Sequence, residues 1–211
     1  LLCLVGSEMC IRDRYFKSAS EKFAVPFINI CIKLGIKPNV LSFLGLLIVI
    51  IGCYLFLNDI KTAGTLTIFI GSAIDGLDGP LARTTNMISK KGALLDSFID
   101  RVGELFIWSV VAVRFTSTDF ELFVILSIVT GSNLIPYLRA RGESLGIDNK
   151  VGIAARPERV IFAVIFMLFE LPFYSIYIFT FILWFTVYQR FNILYNNCLL
   201  YTSDAADDIR C

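Results

Sequence analysis

Long apolar segments constrain this chain more than any other feature of its sequence. Crossing the hydrocarbon core of a bilayer takes about 20 mainly apolar residues in a helix. Hydrophobic residues make up 56% of the chain, against about 45–50% in an ordinary soluble domain. The sequence therefore predicts an all-α integral membrane protein with six transmembrane helices, or five if the last two short stretches form one span. The stretches are Val40–Leu57, Thr62–Gly79, Ala93–Val113, Phe120–Leu138, Val160–Leu171 and Pro172–Tyr188.

A less apolar segment, Tyr15–Gly35, precedes the first of these stretches. It carries Lys17, Lys22 and Lys33 among large apolar side chains. Lysines interspersed with apolar residues are typical of a helix that lies in the plane of the membrane interface. We therefore expect an amphipathic interfacial helix before the first span.

Both ends of the chain differ in character from what lies between them. The strings LVGSEMCIRDR and CLLYTSDAADD, close to the two ends, resemble translated sequencing adapters. We therefore expect residues 1–14 and 197–211 to be non-native segments and residues 15–196 to be the membrane domain. Most of the cysteines fall in the two end segments, so no disulfide framework is predicted.

The distribution of cations predicts which side of the membrane each loop faces. Lys61 and Arg114 lie on one side of the predicted spans, whereas the loops on the other side carry most of the remaining Lys and Arg. Cytoplasmic loops are enriched in these residues, so the cation-rich side is predicted to be cytoplasmic. The net charge of +1 gives no reason to expect nucleic acid as a partner.

Four aspartates are grouped around the loop between the second and third stretches. Asp75 and Asp78 are three residues apart, and Asp96 and Asp100 are four apart. Residues at these spacings share one face of a helix, and helices joined by a short loop are antiparallel neighbours. The four carboxylates are therefore expected to converge near the cytoplasmic surface.

Four acids so close together need compensation. An ionised Asp at the centre of a bilayer costs roughly 2.5–3.5 kcal/mol, and neighbouring carboxylates also repel one another. Pairing with nearby cations explains a single acid better than it explains all four; the candidate cations are Arg83, Lys90, Lys91 and Arg101. Divalent cations prefer such oxygen ligands, and two ions can clamp the oxygens of a phosphoryl transfer. We therefore predict two metal ions, Mg²⁺ with Mn²⁺ as the alternative; without any histidine, His-based zinc sites and catalytic triads are disfavoured.

The residues around these aspartates resemble the signature of the CDP-alcohol phosphotransferase family, D-x-x-D-G-x-x-A-R, eight further residues, then G-x-x-x-D-x-x-x-D. The resemblance extends to the six-span plan and the interfacial helix. It implies an enzyme that transfers a phosphatidyl-type group from CDP-diacylglycerol or CDP-archaeol to the hydroxyl of a small alcohol and releases CMP. Every fixed position is matched, by Asp75, Asp78, Gly79, Ala82, Arg83, Gly92, Asp96 and Asp100.

The resemblance also implies a role for the matched residues. Asp100 would act as general base on the acceptor hydroxyl, and a homodimer is expected on the same ground. Asn39 and Ser42, at the entry to the first span, would cap that helix or bind the nucleotide. The metal ligands would be Asp75, Asp78, Asp96 and Asp100. The CDP site would be lined by Asp75, Asp78, Gly79, Ala82 and Arg83.

A second polar cluster follows the fourth stretch. Its arginines fit a site for the phosphate of a phosphorylated acceptor, because a guanidinium forms paired hydrogen bonds with phosphate oxygens. A plain excess of cytoplasmic cations is the alternative. Glu143 and Glu158 are expected to orient neighbouring arginines. The candidate phosphate ligands are Arg139, Arg141, Lys150, Arg156 and Arg159.

Two sequence segments in this cluster resemble one branch of the family in particular. The segments 139–143 (RARGE) and 152–159 (GIAARPER) resemble the branch that makes phosphatidylinositol phosphate or its archaeal ether-lipid counterpart, although Gly142 stands where that branch has Ala. Inositol phosphate is therefore the expected acceptor. The alternatives are glycerol 3-phosphate as acceptor and a non-enzymatic cation-coupled transporter, which would place its acids at mid-bilayer.

Overall fold

The structure, a computed structural model, describes residues 25–149 and 151–207, with side chains described as far as residue 198. The predicted non-native segment 1–14, much of the predicted interfacial helix and Lys150 lie outside the described residues. Within the described part, all regular secondary structure is helical, which confirms the all-α prediction. The helices are α1 (25–33), α2 (Pro38–Leu57), α3 (Lys61–Asp75), α4 (Asp78–Thr84), α5 (Lys90–Phe115), α6 (Asp119–Ser144), α7 (Arg156–Phe169) and α8 (Tyr174–Asp207).

Helix length and hydropathy test the predicted spans only in part. Among the described residues, α2 and α6 are long and apolar enough to cross a membrane, with mean hydropathies of 2.8 and 1.5. Helices α3 and α7 have 15 and 14 residues, fewer than the roughly 17–25 that a crossing usually takes. The count of six spans therefore stays a prediction. Helix α8 runs for 34 residues, past the predicted start of the non-native tail at residue 197.

The helices fall into two compact units. The first contains the chain as far as Arg114 together with residues 160–171, and the second contains residues 115–159 and the chain from Pro172 onward. In the first unit α2 packs along α3, and in the second α6 packs along α8. The aspartate motif thus belongs to the first unit and the cluster of arginines to the second.

Glycines let α2 and α3 touch backbone to backbone. Gly45 and Gly52 on α2 face Gly64 and Gly71 on α3, and all four are buried. A Cβ at Gly52 would lie 2.8 Å from the carbonyl oxygen of Gly64, and one at Gly71 would lie 2.8 Å from that of Gly45. Seven residues make about two helical turns, so each pair stays on one face. Small residues at such positions are how helices pack closely within membranes.

A break in the chain separates the first two aspartates of the motif. The sequence predicted one span through Gly79 with Asp75 and Asp78 on the same helical face, and this is wrong: Asp75 ends α3 and Asp78 begins α4. The physical reason is Pro80, which has no N–H to donate to the carbonyl of Gly76 in a continuous helix. In the first turn of α4 that missing donor costs nothing.

Ion pairs close the opposite end of the first unit. Lys61 donates to Glu170 across 2.5 Å, and Arg114 pairs with Asp59. Lys61 and Arg114 are the two cations that the sequence assigned to the cation-poor side of the membrane. Each is matched by an acid, so this end of the unit carries little net charge.

The glycine contact generates a prediction about stability. A methyl group at Gly52 would lie 2.7 Å from the backbone nitrogen of Ile68, and overpacking of this kind costs about 1–3 kcal/mol. We expect Gly52→Ala to lower the melting temperature of the detergent-solubilised protein, followed by circular dichroism. Gly103→Ala is the matched control, because the nearest atom to its new Cβ is Leu46 Cδ1 at 3.7 Å. Equal melting temperatures for the two variants would contradict the prediction.

Candidate metal and nucleotide site

Three carboxylates from three helices meet at one point. Asp75 at the end of α3, Asp78 at the start of α4 and Asp96 in α5 each offer an oxygen, and these oxygens all lie within 4.8 Å of one another. Asp75 and Asp78 are buried, with 3% and 8% of their surface exposed, and Asp96 is half-buried. The predicted convergence of the motif is therefore confirmed for these three residues.

The spacing of these oxygens suits a divalent cation. Oxygens that bind one Mg²⁺ or Ca²⁺ at about 2.0–2.6 Å lie no more than about 5 Å apart, which matches the separation in the cluster. Buried carboxylates at this distance repel one another unless a positive charge lies between them. The donor set contains only hard oxygen atoms, as these cations prefer. The residues present therefore fit a divalent metal.

Asp100 lies outside this group of three. It follows Asp96 by one turn of α5, which moves it about 6 Å along the helix axis, and its side chain is half-buried. The three-carboxylate group found among the described residues does not include it. Its predicted roles as a metal ligand and as general base stay predictions.

Ser42 on α2 forms a hydrogen bond with one carboxylate of the cluster. Its hydroxyl donates to Oδ2 of Asp78 at 2.5 Å, and it is 2% exposed. A hydrogen bond to an ionised carboxylate fixes the orientation of that group and stabilises its charge. The sequence proposed Ser42 as a helix cap or nucleotide ligand; the structure places it against a candidate metal ligand.

Gly45 sets the position of Asp75. A Cβ at Gly45 would lie 2.8 Å from the Cβ of Asp75 and 2.9 Å from its backbone nitrogen. Any larger residue would push the end of α3 away from α2. Sequence reasoning missed this residue, although the seven-residue spacing of the glycines on α2 and α3 is a signal that could have found it.

A cavity of about 260 Å³ opens beside the cluster. Most of the predicted CDP-site residues line it, whereas Ser42 and Asp75 do not. The wall has two carboxylates, one guanidinium and several apolar side chains, of which Met87 and Ile88 are the largest. The residues along it are Pro38, Asn39, Asp78, Gly79, Ala82, Arg83, Met87, Ile88, Ser89, Gly92, Ala93 and Asp96.

The two glycines of the motif serve different purposes in this cavity. A Cβ at Gly79 would meet only Arg83 Nη1, at an ordinary 3.5 Å, so the space in front of it is open to a ligand. A Cβ at Gly92 would crowd Ser89 Oγ at 3.1 Å and Asn39 Oδ1 at 3.3 Å. Gly92 therefore lets the start of α5 pack against the start of α2, and its N–H donates to Ser89 Oγ at 3.0 Å.

In the second unit, the predicted phosphate ligands divide by exposure. Arg139 and Arg141 are exposed, and Arg139 donates to Glu143 at 3.0 Å, as expected for an acid that orients an arginine. Arg156 is half-buried. Arg159 is buried and donates from Nη1 to the carbonyl of Ala154 at 3.0 Å. Lys150, the fifth candidate, lies outside the described residues.

Arg190 on α8 is a further arginine that the sequence counted only as a cytoplasmic cation. It is 6% exposed, and it donates from Nε to the carbonyl of Val151 at 2.6 Å and from Nη1 to that of Ile135 at 2.9 Å. Burial, and then the charges of Arg139 and Arg159, lower the pKa of Arg190 to about 10, so it is still charged at neutral pH. An isolated cation in an otherwise apolar helix was the available signal.

Comparisons with known proteins identify the family of the chain. Residues 36–189 match the family described as CDP-alcohol phosphatidyltransferase. The chain is 35% identical over 162 residues to an archaetidylinositol phosphate synthase of Pyrococcus horikoshii, covering 74% of this chain and 82% of the relative. It is 30% identical over 158 residues to a phosphatidylinositol phosphate synthase of Cutibacterium acnes, covering 72% of this chain and 75% of that one.

A solved structure shares the fold. The crystal structure of Mycobacterium tuberculosis phosphatidylinositol phosphate synthase with CDP-DAG bound superposes with a TM-score of 0.72 at 23% identity, covering 82% of this chain and 94% of that one. The same enzyme in complex with manganese and citrate gives a TM-score of 0.71 at 24% identity, covering 82% and 88%. At this identity the likeness establishes the helical fold.

The contact between Ser42 and Asp78 generates a prediction about metal affinity. Residues that hydrogen-bond a metal ligand typically contribute about 10–100-fold to affinity, so we expect Ser42→Ala to weaken Mn²⁺ binding by about that factor. Isothermal titration calorimetry of the detergent-solubilised protein measures it. Ser109→Ala is the control, because that hydroxyl bonds only to the carbonyl of Leu105 in its own helix. Unchanged Mn²⁺ affinity in Ser42→Ala would show that the hydroxyl does not support the site.

Proposed function

The chain belongs to the CDP-alcohol phosphatidyltransferase family, and on that premise we propose that it transfers a phosphatidyl-type group from a CDP-activated lipid to inositol phosphate, with release of CMP. The observation that carries the proposal is the meeting of Asp75, Asp78 and Asp96 beside a cavity that also contains Arg83. A site of this kind combines carboxylates for cations with a guanidinium for a phosphate. A nucleoside diphosphate needs both.

The donor occupies the cavity in this proposal. Arg83 donates to a phosphate oxygen, and Gly79 leaves room for the diphosphate to approach the backbone. Asp75, Asp78 and Asp96 hold divalent cations, two Mg²⁺ ions with Mn²⁺ as a substitute. When bound, such ions neutralise the diphosphate and so favour the departure of CMP.

Asp100 is the proposed general base. It takes the proton from the acceptor hydroxyl while that oxygen forms a bond to the lipid-side phosphorus. The bond from that phosphorus to the CMP oxygen breaks, and CMP leaves with the electron pair. Asp100 lies one turn along α5 from Asp96, so the helix keeps the base close to the cation ligands without making it part of the three-carboxylate group.

The acceptor assignment rests on the arginines of the second unit and on the relatives. An inositol phosphate carries a dianionic phosphate, which arginine binds through paired hydrogen bonds. Arg139, Arg141 and Arg156 have surface available for such a ligand, whereas Arg159 is buried. The Pyrococcus horikoshii and Cutibacterium acnes relatives are named as synthases of inositol phosphate lipids.

The proposed setting is a multi-pass membrane protein, a homodimer with six spans and its active site at the cytoplasmic face. Support for the setting comes from the apolar α2 and α6 and from the cation-rich loops on the side of the aspartates. The acids lie at the end of α3, the start of α4 and near the start of α5. A cation-coupled transporter would instead hold its acids in the middle of its spans.

CMP release tests the proposal directly. The purified protein in lipid vesicles is supplied with Mg²⁺, CDP-diacylglycerol or CDP-archaeol, and either inositol phosphate or glycerol 3-phosphate. We expect CMP release that requires both the metal and inositol phosphate. Release with glycerol 3-phosphate alone would replace the proposed acceptor. Folded protein that releases no CMP with any pair of substrates would refute the enzymatic assignment.

The assignment of Asp100 has its own prediction. Asp100→Asn keeps the size of the side chain but removes the basic oxygen, so we expect kcat to fall by about 10²–10⁴-fold, the usual contribution of a general base. The KM for the CDP-lipid should change little. Asp119→Asn, in the first turn of α6 and outside the aspartate motif, is the control and should keep its activity. Substantial turnover by Asp100→Asn would exclude Asp100 as the base.

A further inference from the structure

The peptide units around Ala154 are fixed from two directions. The N–H of Ala154 donates to Thr186 Oγ1 on α8 at 3.2 Å, and its carbonyl accepts from Arg159 Nη1 at 3.0 Å. Ala154, Thr186 and Arg159 have 2%, 0% and 3% of their surface exposed. Both polar groups of this residue are therefore satisfied inside the protein and shielded from water, which makes their geometry rigid.

The hydroxyl of Thr186 has one orientation in this arrangement. It donates its proton to the carbonyl of Ile182, one turn earlier in α8, at 3.1 Å. Its lone pair then faces the N–H of Ala154. A hydroxyl offers one donor and two acceptor positions, so Thr186 can satisfy its own helix and the neighbouring segment together.

Two more contacts hold the same segment, residues 151–155, against α8. Arg190 donates to the carbonyl of Val151 at 2.6 Å. Gly152 has φ +129°, and a Cβ there would lie 2.3 Å from Cγ2 of Thr186. Only glycine combines that backbone conformation with so close an approach. Segment 151–155 is thus held by α8 at residues 151, 152 and 154.

Arg156 follows this segment directly and begins α7. The direction of a side chain depends on the backbone that carries it, and Ala154 lies only two residues earlier. Arg156 is half-buried, so the surrounding protein limits the conformations that its side chain can adopt. Binding groups held by a rigid second layer lose less entropy when the ligand arrives.

We propose that Thr186 is a positioning residue for the anionic acceptor: its buried hydroxyl holds segment 151–155 on α8 and so sets the direction of Arg156. This proposal rests on the proposed function, because it takes the anion bound by Arg156 to be the acceptor's phosphate. Thr186 itself touches no substrate. Its effect is transmitted through the backbone at Ala154.

Three substitutions separate the hydroxyl from the shape of the side chain. Thr186→Val keeps the shape and removes the hydroxyl, Thr186→Ala removes both the hydroxyl and the methyl, and Thr186→Ser removes only the methyl. Thr180→Val is the matched control, since Thr180 lies on the same helix and its hydroxyl donates to its own helix at Ile176. The assay measures CMP release with Mg²⁺, CDP-diacylglycerol and inositol phosphate.

The expected result is a change confined to one substrate. Thr186→Val and Thr186→Ala should raise the KM for inositol phosphate by about tenfold, because the Arg156 side chain is no longer held in place before the ligand binds and must be ordered on binding. The KM for the CDP-lipid should not change, and Thr186→Ser and Thr180→Val should behave like the unmodified protein. Combined with Arg156→Ala, Thr186→Val should add little further loss, because both changes remove one interaction.

Other results would overturn the proposal. Equal changes in both KM values, no change in either, or full additivity with Arg156→Ala would show that Thr186 does not act through Arg156. If Thr186→Val melts below the assay temperature, the comparison of Thr186→Ser with Thr186→Ala decides, because only the latter loses the hydroxyl.

Hydrogen exchange keeps this test separate from the proposed function. Peptides covering residues 151–158 should exchange faster in Thr186→Val than in Thr180→Val, whichever acceptor the enzyme uses. Unchanged exchange would overturn the positioning role. If exchange is faster in Thr186→Val but the unmodified protein does not use inositol phosphate, the role of Thr186 in holding segment 151–155 stands and only the acceptor assignment is refuted.

Discussion

The contact between α2 and α3 is the constraint on which the rest of the site depends. Because the glycines bring the two backbones together, α2 can reach two of the three candidate metal ligands at once. Gly45 lies against Asp75, and Ser42, three residues earlier on the same helical face, donates to Asp78. One face of α2 thus fixes the position of Asp75 and the orientation of the Asp78 carboxylate. A wider separation of α2 and α3 would loosen both.

The break after Asp75 determines how the carboxylates of Asp75 and Asp78 are arranged for binding. On a continuous helix, residues three apart project in similar directions from neighbouring turns. Ending α3 at Asp75 and starting α4 at Asp78 lets the two carboxylates approach the same point from different helices. Pro80 contributes to this break, because it has no N–H with which to continue the backbone hydrogen bonds of α3. The break also opens the cavity wall at Gly79, where an added Cβ would meet little protein.

Sequence alone predicted the helical class, the family and the convergence of Asp75, Asp78 and Asp96, because hydropathy and motif spacing are local properties. The sequence analysis placed Asp75 and Asp78 on one helix because helical periodicity does not show where a proline interrupts the backbone hydrogen bonds. It also missed Gly45 and Thr186. Their importance lies in atoms far away along the chain, the Cβ of Asp75 and the N–H of Ala154. The seven-residue spacing of the glycines indicates that α2 approaches another helix closely, but it does not identify Asp75 as the residue that Gly45 meets. No periodicity in α8 identifies the partner of Thr186.

The arginines of the second unit show why counting charges is not enough to interpret a basic cluster. A cation retained only for membrane topology should remain in water or pair at the surface, as Arg139 does with Glu143. Arg159 and Arg190 are instead buried, and their N–H groups donate to backbone carbonyls. Removing a guanidinium from water is costly unless its hydrogen bonds are replaced. The cytoplasmic excess of cations accounts for neither their burial nor their carbonyl partners, whereas a scaffold around segment 151–155 accounts for both.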